Sequence, residues 1–440
     1  MTSPGQHVPR RAWVVTFAGT AVNLCLGILY AWSVWKNKLI APASRPDLVG
    51  TAMNGINEGW HYLSDAQGTW AYSICGFVFA LFMIPGGRLQ DKYGPKIGAT
   101  TGGLFLAAGC IFAGLMKSYL SLILGFGVIG GIGMGLAYAA TTPAAVKWFG
   151  PHQRGLIVGL VVGGYGGAAI YISPLADALI NTYGISGSFI GMGLFFAVVV
   201  IIAGQLLSWP EPGYLPPAPP IAPNQNAATP TRTRMTGVDW PVSAMLRSFQ
   251  FYALVFLFFG SAQSGLLVIA NATPILNQTA KTIAFLAANA WILSSYGGLI
   301  NATGRIGTGI YSDKIGRINA YRINSLISAV FLFLMPTIMQ SGSVPLLFLG
   351  VGIAYWQYGG GLALLPALTA DFFGSKNLGM NYGLVFLGWG SAFIVAQLAG
   401  YIKDLTGSLD DAFYLSGGLL VLAVMITFRL RRPLAPGEGM

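Results

Sequence analysis

Charge is what this chain lacks most. Of its 440 residues only 8% are charged, against roughly 25% in soluble domains. Hydrophobic residues make up 54%, and the mean hydropathy is +0.65. This composition excludes a soluble or disordered chain and leaves a polytopic membrane protein. Histidine and cysteine are almost as scarce, with three of each. His7, His61 and His152 have no metal-ligand spacing. Cys25, Cys75 and Cys110 all lie in apolar runs, and an odd number of them builds no disulfide framework. They are expected as small core residues. There is no Walker motif, so work driven by ATP is not supported. There is also no cluster of acid, base or metal-ligating groups, so neither an enzyme nor a cofactor is expected.

What is present is a series of apolar runs of spanning length. They fall near 13–35, 67–86, 97–116, 120–146, 154–178, 187–208, 248–273, 287–312, 319–340, 343–370, 378–402 and 411–429. The polar tail MTSPGQHVPRRAW precedes a run too long for a signal peptide, so the first helix is expected to be retained. Twelve crossings put both termini on one side. Seventeen of the 24 basic residues fall on that side, from Arg10 and Arg11 to Arg431 and Arg432. Six fall on the other side (Lys36, Lys38, Arg45, Lys117, Lys281 and Lys403), and Arg305 lies within a span. The positive-inside rule then makes both termini cytoplasmic, in the plasma (inner) membrane. The net charge of +11 is thus a topology signal, and no nucleic-acid partner is expected.

The stretch 210–230, PEPGYLPPAPPIAPNQNAATP, is rich in proline and reads as an extended linker. The sequences on either side of it repeat. KWFGPHQRGLIVGLVVGGYGGA at 147–168 aligns without gaps on DFFGSKNLGMNYGLVFLGWGSA at 371–392. GRLQDKYG at 87–94 and GIYSDKIG at 309–316 share G-x-x-x-D-K-x-G at nearly the same offset. The fold class expected is an all-α membrane protein with twelve transmembrane helices in two pseudo-symmetric six-helix bundles. Its parts are an N-terminal bundle over 1–208, a cytoplasmic Pro-rich linker over 209–247 and a C-terminal bundle over 248–440. Such repeats commonly hold a site at their interface. GVIGGIGMG at 127–135 has the glycine spacing of a phosphate loop, but it lies inside the fourth helix and reads as close helix packing.

The eighth span carries the one deep basic residue. Burying a guanidinium there costs ~2.5–3.5 kcal/mol on insertion scales, and such a residue normally faces a cavity or a partner. No carboxylate in the same segment is placed to neutralise Arg305. Ser294, Gly298, Asn301, Arg305 and Thr308 share one helical face. Arg305 lies ~12 Å deeper than Asp313, near the middle of a roughly 30 Å hydrocarbon core. A guanidinium fork matches a carboxylate in two-point contact. Asn301, one turn away, can donate to the same anion or orient the arginine. Asp65 and Asp177, near the outer helix ends, could carry protons, but are expected to be solvated caps.

The shared G-x-x-x-D-K-x-G resembles the signature loop of the major facilitator superfamily. LGILYAWSVW, AAVKWFGPHQRGL, GRIGTGIYSDKIGR and the NYG of the eleventh span are similar to the oxalate/formate antiporter family, itself related to proton-linked monocarboxylate transporters. The resemblance covers the chain apart from the linker and tails. It implies a transporter in which Arg305 binds a carboxylate. In the monocarboxylate transporters an aspartate usually stands where this chain has Asn301, which puts a simple Asp–Arg proton-coupling scheme in doubt. Trp389 stands where oxalate carriers have a lysine, and Leu362 where they have a tyrosine. Tyr30, Tyr138 and Tyr165 match pocket tyrosines, and Tyr358 matches a tryptophan. Asp91 and Asp313, with Arg88 and Arg317, are expected to act in gating and assembly, capping helices or pairing across the halves.

A single cation balances a single anion, so the residues favour a short monocarboxylate, lactate- or pyruvate-like, over oxalate. The expected function is secondary active transport with protons as the coupling ion, in a monomer embedded in the lipid bilayer. Oxalate/formate exchange is the alternative within that class. A membrane carboxylate sensor that moves nothing is the alternative outside it.

Overall fold

The computed structural model describes residues 8–42, 44–150, 153–216, 239–374 and 377–433. Of the proline-rich linker expected over 209–247, residues 217–238 lie outside this set, as do His7 and His152. Nine stretches of the described residues are long and apolar enough to cross a membrane. One of them, Leu156–Leu206, is two helices divided where Gly184 adopts φ +72°. Trp291–Ile315 and Val344–Phe373 are also of crossing length. Polar faces lower their hydropathy. The crossing segments therefore number the twelve expected.

In chain order they are α1 (Arg10–Leu39), α2 (Asp65–Tyr93), α3 (Pro95–Met116), α4 (Tyr119–Val146), α5 (154–183) and α6 (185–206). The second set is α7 (Phe249–Thr279), α8 (Trp291–Ile315), α9 (Arg317–Ser341), α10 (Val344–Phe373), α11 (Leu378–Thr406) and α12 (Asp410–Arg429). The repeat is visible in the packing. In the first half α3 lies on α6, α2 on α4 and α1 on α5; in the second, α9 lies on α12, α8 on α10 and α7 on α11. The same correspondence relates the two main contacts between halves, α2 with α11 and α5 with α8. This is the all-α, two-bundle architecture expected from the sequence.

The outward faces are apolar. Leu194, Val198, Ile202, Ile310, Met425 and Phe428 are among the large side chains exposed at the surface. In water these would be a liability, but against lipid chains they cost nothing, and each helix satisfies its own backbone.

The shared G-x-x-x-D-K-x-G is more helical than a loop. In its first copy α2 continues through Tyr93, Gly94 takes φ +89°, and Pro95 begins α3. In its second copy α8 runs to Ile315, Gly316 takes φ +90°, and α9 begins at Arg317. Each reversal is thus made by one glycine, whose missing Cβ allows the left-handed conformation. Asp91 and Asp313 consequently sit in the last turn of a helix, not at the start of one.

The two ends of the bundle are distinguished below as the terminal end, where the described residues begin at Val8 and end at Pro433, and the distal end. The distal residues 44–64 meet the break between α5 and α6, where Ile56 lies against Gly184. Asn57 Oδ1 accepts from the Ile185 N–H at 2.8 Å, which caps α6 after the break at Gly184. At the terminal end, the described part of the linker returns to the second half. The Trp240 N–H donates to the Phe373 carbonyl at 2.9 Å, and Asn377 donates to the Trp240 carbonyl at 2.9 Å.

Candidate functional site

On α8, Ser294, Asn301, Arg305 and Thr308 are all buried, while Leu299, Ile306 and Ile310 are exposed. The polar stripe therefore faces the interior and the apolar stripe faces lipid, as hydrophobic periodicity requires. Arg305 is 6% exposed. Its Nε donates to Asn301 Oδ1 at 3.2 Å, its Nη1 to the Val162 carbonyl at 3.1 Å, and its Nη2 to the Tyr30 hydroxyl at 3.3 Å. Two of these partners, on α1 and α5, belong to the opposite half. The guanidinium fits because α5 has Gly166 at the contact. A Cβ there would stand 3.0 Å from Arg305 Nε and 3.2 Å from Cζ.

None of these partners is charged. Among the described residues no Asp or Glu side chain pairs with Arg305, whereas every other ion pair described involves Asp47, Asp65, Asp313 or Asp371. The cation is buried against neutral oxygens.

Tyr30 continues the network. Its hydroxyl lies 2.7 Å from that of Tyr358, which in turn accepts from Trp389 Nε1 at 2.8 Å. Both tyrosine oxygens thus accept from a nitrogen at one end, and only one O–H proton can lie between them. The other O–H is left as a free donor. Asn301 Nδ2 and the Tyr165 hydroxyl are buried with no hydrogen-bond partner. Arginine has five N–H groups, and three are occupied by the bonds above. The site thus holds a surplus of donors around one positive charge. Unpaired buried donors are costly unless a ligand satisfies them.

Aromatic rings close around this centre. Tyr165 packs edge-on against Tyr30 at 4.9 Å and against Tyr138 at 5.3 Å between ring centroids. Phe79 bridges Tyr138 at 5.4 Å and Trp389 at 5.1 Å. Tyr138 is half-buried and within electrostatic reach of Arg305. Leu362, one turn beyond Tyr358 on α10, is half-buried and makes no polar contact with the others. The structure therefore brings Arg305, Asn301, Tyr30, Tyr138, Tyr165, Tyr358 and Trp389 into one constellation drawn from both halves.

The sequence profile of the Major Facilitator Superfamily matches residues 12–358. The chain belongs to the major facilitator superfamily. It is 26% identical over 396 residues to the oxalate:formate antiporter of Oxalobacter formigenes, covering 86% of this chain and 85% of that one. It is 23% identical over 455 residues to the apicoplast pyruvate carrier 1 of Toxoplasma gondii, covering 86% and 81%. Human monocarboxylate transporter 11 is 25% identical over 443 residues, covering 96% of this chain and 83% of that protein.

Among the described residues, no hydrogen bond or ion pair of the motif residues joins the halves. Arg317 Nε lies 2.7 Å from Asp371 Oδ2, and Arg317 Nη1 is 3.6 Å from Asp313. All three residues are in the second half. Asp91 accepts from its neighbour Gln90 at 2.7 Å, and Arg88 is exposed. The pairing across halves expected for these groups is thus not the arrangement present: the arginine that follows the second motif reaches the end of α10 instead. Asp371, its partner, is a residue that sequence reasoning passed over.

The contacts between halves lie elsewhere. Every hydrogen bond described between them is at the level of Arg305 or toward the distal end. Ser33 meets Thr273 at 3.0 Å, Asn277 donates to Asn37 at 3.0 Å, and Ser73 donates to the Phe393 carbonyl at 3.3 Å. Beyond them is a cluster of Lys36, Asp65 and Lys403, none of which sequence reasoning selected. Asp65 was expected as a solvated cap. Its side chain is only 13% exposed and touches two ammonium groups. A sequence signal did exist: Lys36 directly follows the apolar run ending at Trp35, and the helix carries it inward.

Proposed function

We propose that this chain is a secondary transporter of small monocarboxylate anions, lactate- or pyruvate-like, in which Arg305 binds the carboxylate. The halves 1–208 and 248–440 rock about that site, joined by the segment 209–247. Both termini lie in the cytoplasm, the membrane is the plasma (inner) membrane, and the working unit is a monomer. The observation that carries the reading is the buried Arg305 guanidinium, whose described partners are all neutral. A buried cation without a counter-ion is costly, and a carboxylate arriving in a fork-on geometry would offset that cost.

The named activities of the relatives support a carboxylate as cargo. The one-charge site supports a monoanion. Trp389 fills the position where a second cation would be needed for a dianion, and its indole ties to Tyr358 instead. Tyr30, Tyr138, Tyr165 and Asn301 supply hydrogen bonds, and Leu362 and Trp389 contact the apolar tail. Asp91, Asp313, Arg88 and Arg317 serve as gating elements at the cytoplasmic face in the opposite conformational state. Proton coupling completes the cycle; residue 301 is an asparagine and cannot carry the proton.

Uptake of radiolabelled lactate and pyruvate into proteoliposomes, with and without a pH gradient, tests the proposal. Saturable uptake accelerated by a proton gradient is the expected result. Uptake that ignores the gradient and requires oxalate or formate on the opposite side would replace it with the exchange reading. Vigorous uptake by Arg305→Ala would overturn the assigned role of the arginine.

A further inference from the structure

Four charged residues at the distal end occupy a position that no substrate role explains. Lys36 on α1 is fully buried. Its Nζ lies 3.2 Å from Asp65 Oδ1 and donates across the halves to Asn271 Oδ1 at 2.6 Å. Lys403 on α11 reaches Asp65 from the opposite half, with Nζ 3.0 Å from each carboxylate oxygen. Asp404, its neighbour, accepts from the backbone N–H groups of Asp65 at 2.8 Å and Ala66 at 3.0 Å. These are unpaired donors in the first turn of α2, where the helix dipole favours an anion.

The charges balance, two positive and two negative, and they are divided evenly. Lys36 and Asp65 belong to the first half, Lys403 and Asp404 to the second. Each half is therefore neutral when the cluster is pulled apart, so separation costs contacts without stranding net charge on either side. While it is closed, α11 clamps the start of α2 by two independent devices, an ammonium on a side-chain carboxylate and a carboxylate on a helix N-terminus. Beneath the clamp the path to Arg305 is filled by fully buried side chains, including Ser33, Tyr72 and Phe393.

We infer that Lys36, Asp65, Lys403 and Asp404 form a charge latch that holds the distal end shut, so that opening this end requires Lys403 and Asp404 to leave α2. The latch is separate from the carboxylate site and does not depend on which anion is carried. Lys36 acts within it as a positioning residue: it fixes Asp65 in the first half whether the latch is open or closed.

The test uses accessibility, which needs no substrate. In full-length protein with Cys25, Cys75 and Cys110 replaced by alanine, Ser33→Cys places a single thiol beneath the latch. Purified protein in detergent is reacted with a bulky polar maleimide. Lys403→Gln and Asp404→Asn each leave the Lys36–Asp65 pair intact, so neither strands a buried charge. Both are expected to raise the labelling rate about tenfold, the scale of losing one hydrogen bond to a charged group. Lys403→Arg and Asp404→Glu are expected to restore the slow rate. Tyr401→Phe removes the neighbouring neutral contact with Trp70 (3.0 Å) and is expected to leave labelling slow. Equal labelling in all monodisperse variants would overturn the latch, as would acceleration by Tyr401→Phe as large as that by the charge variants. Asp404→Asn keeps both lysine contacts of Asp65, and it decides alone if Lys403→Gln does not fold.

Discussion

The Nη2 of Arg305 lies 3.3 Å from the hydroxyl of Tyr30, so the one deep cation of the second half is held by a side chain of the first. Any motion that separates α1 from α8 must break this contact. An anion bound between them would replace it on both sides. On the proposed reading, the contact would couple occupancy of the site to the relative position of the halves, which is what alternating access requires.

Tyr30→Phe keeps the ring packed against Tyr165 but removes the oxygen shared by Arg305 and Tyr358. A hydrogen bond to a charged group contributes about 1.5–3 kcal/mol. The expected outcome is a rise in KM for lactate or pyruvate of roughly tenfold or more, with folding unchanged by thermal melt. An unchanged KM would remove Tyr30 from the site.

Arg305→Lys preserves the charge and loses the planar fork. Lysine offers a point charge on a flexible stem and cannot hold Asn301, the Val162 carbonyl and Tyr30 at once. Uptake is expected to fall to near background while the protein remains monodisperse. Uptake close to that of the native protein would mean that charge alone suffices.

Asn301→Asp installs a carboxylate one turn from the guanidinium, against which Asn301 Oδ1 already rests at 3.2 Å. Paired with Arg305, the new group is ionised at neutral pH and competes with the substrate anion. Protonation removes that competition. Uptake is thus expected to be depressed at neutral pH and to recover as the medium is acidified, giving a steeper pH dependence than in the native protein. Initial rates measured across that pH range check it, and a flat difference between variant and native protein would contradict it.

The parts of the site that could be read from residue spacing alone are those written along one helix; Tyr30, Tyr138, Tyr165, Tyr358 and Trp389, on other helices, were reached only through the family resemblance. Ser294, Asn301, Arg305 and Thr308 are legible because their spacing of three and four repeats on α8, and polar groups on an apolar helix must face inward. The two-bundle fold was legible for a similar reason, since 147–168 and 371–392 align without a gap. Lys36, Asp65, Lys403 and Asp404 were not legible. They lie on three helices, more than 300 residues apart at the extreme; Asp65 read as a solvated cap, Lys36 and Lys403 counted only toward the topology, and Asp404 carried no signal of its own. Only the pairing of the halves puts them together. The turn motifs fell between these cases: their glycines marked the reversals, but Asp313 and Arg317 found partners set by the second half alone.

Trp389→Lys would place a second cation beside Tyr358, where the indole now donates at 2.8 Å. Two carboxylates held close together need two positive charges, and the native site offers one. The variant is expected to bind oxalate better and lactate worse, read as a lower oxalate concentration for half-inhibition of residual uptake. Loss of Trp389 also removes its ring contacts with Phe79 and Phe386, so some loss of stability accompanies the change. That loss affects both anions alike, and the ratio of the two affinities isolates the charge. A ratio that does not move toward oxalate would show that the number of cations does not set selectivity here.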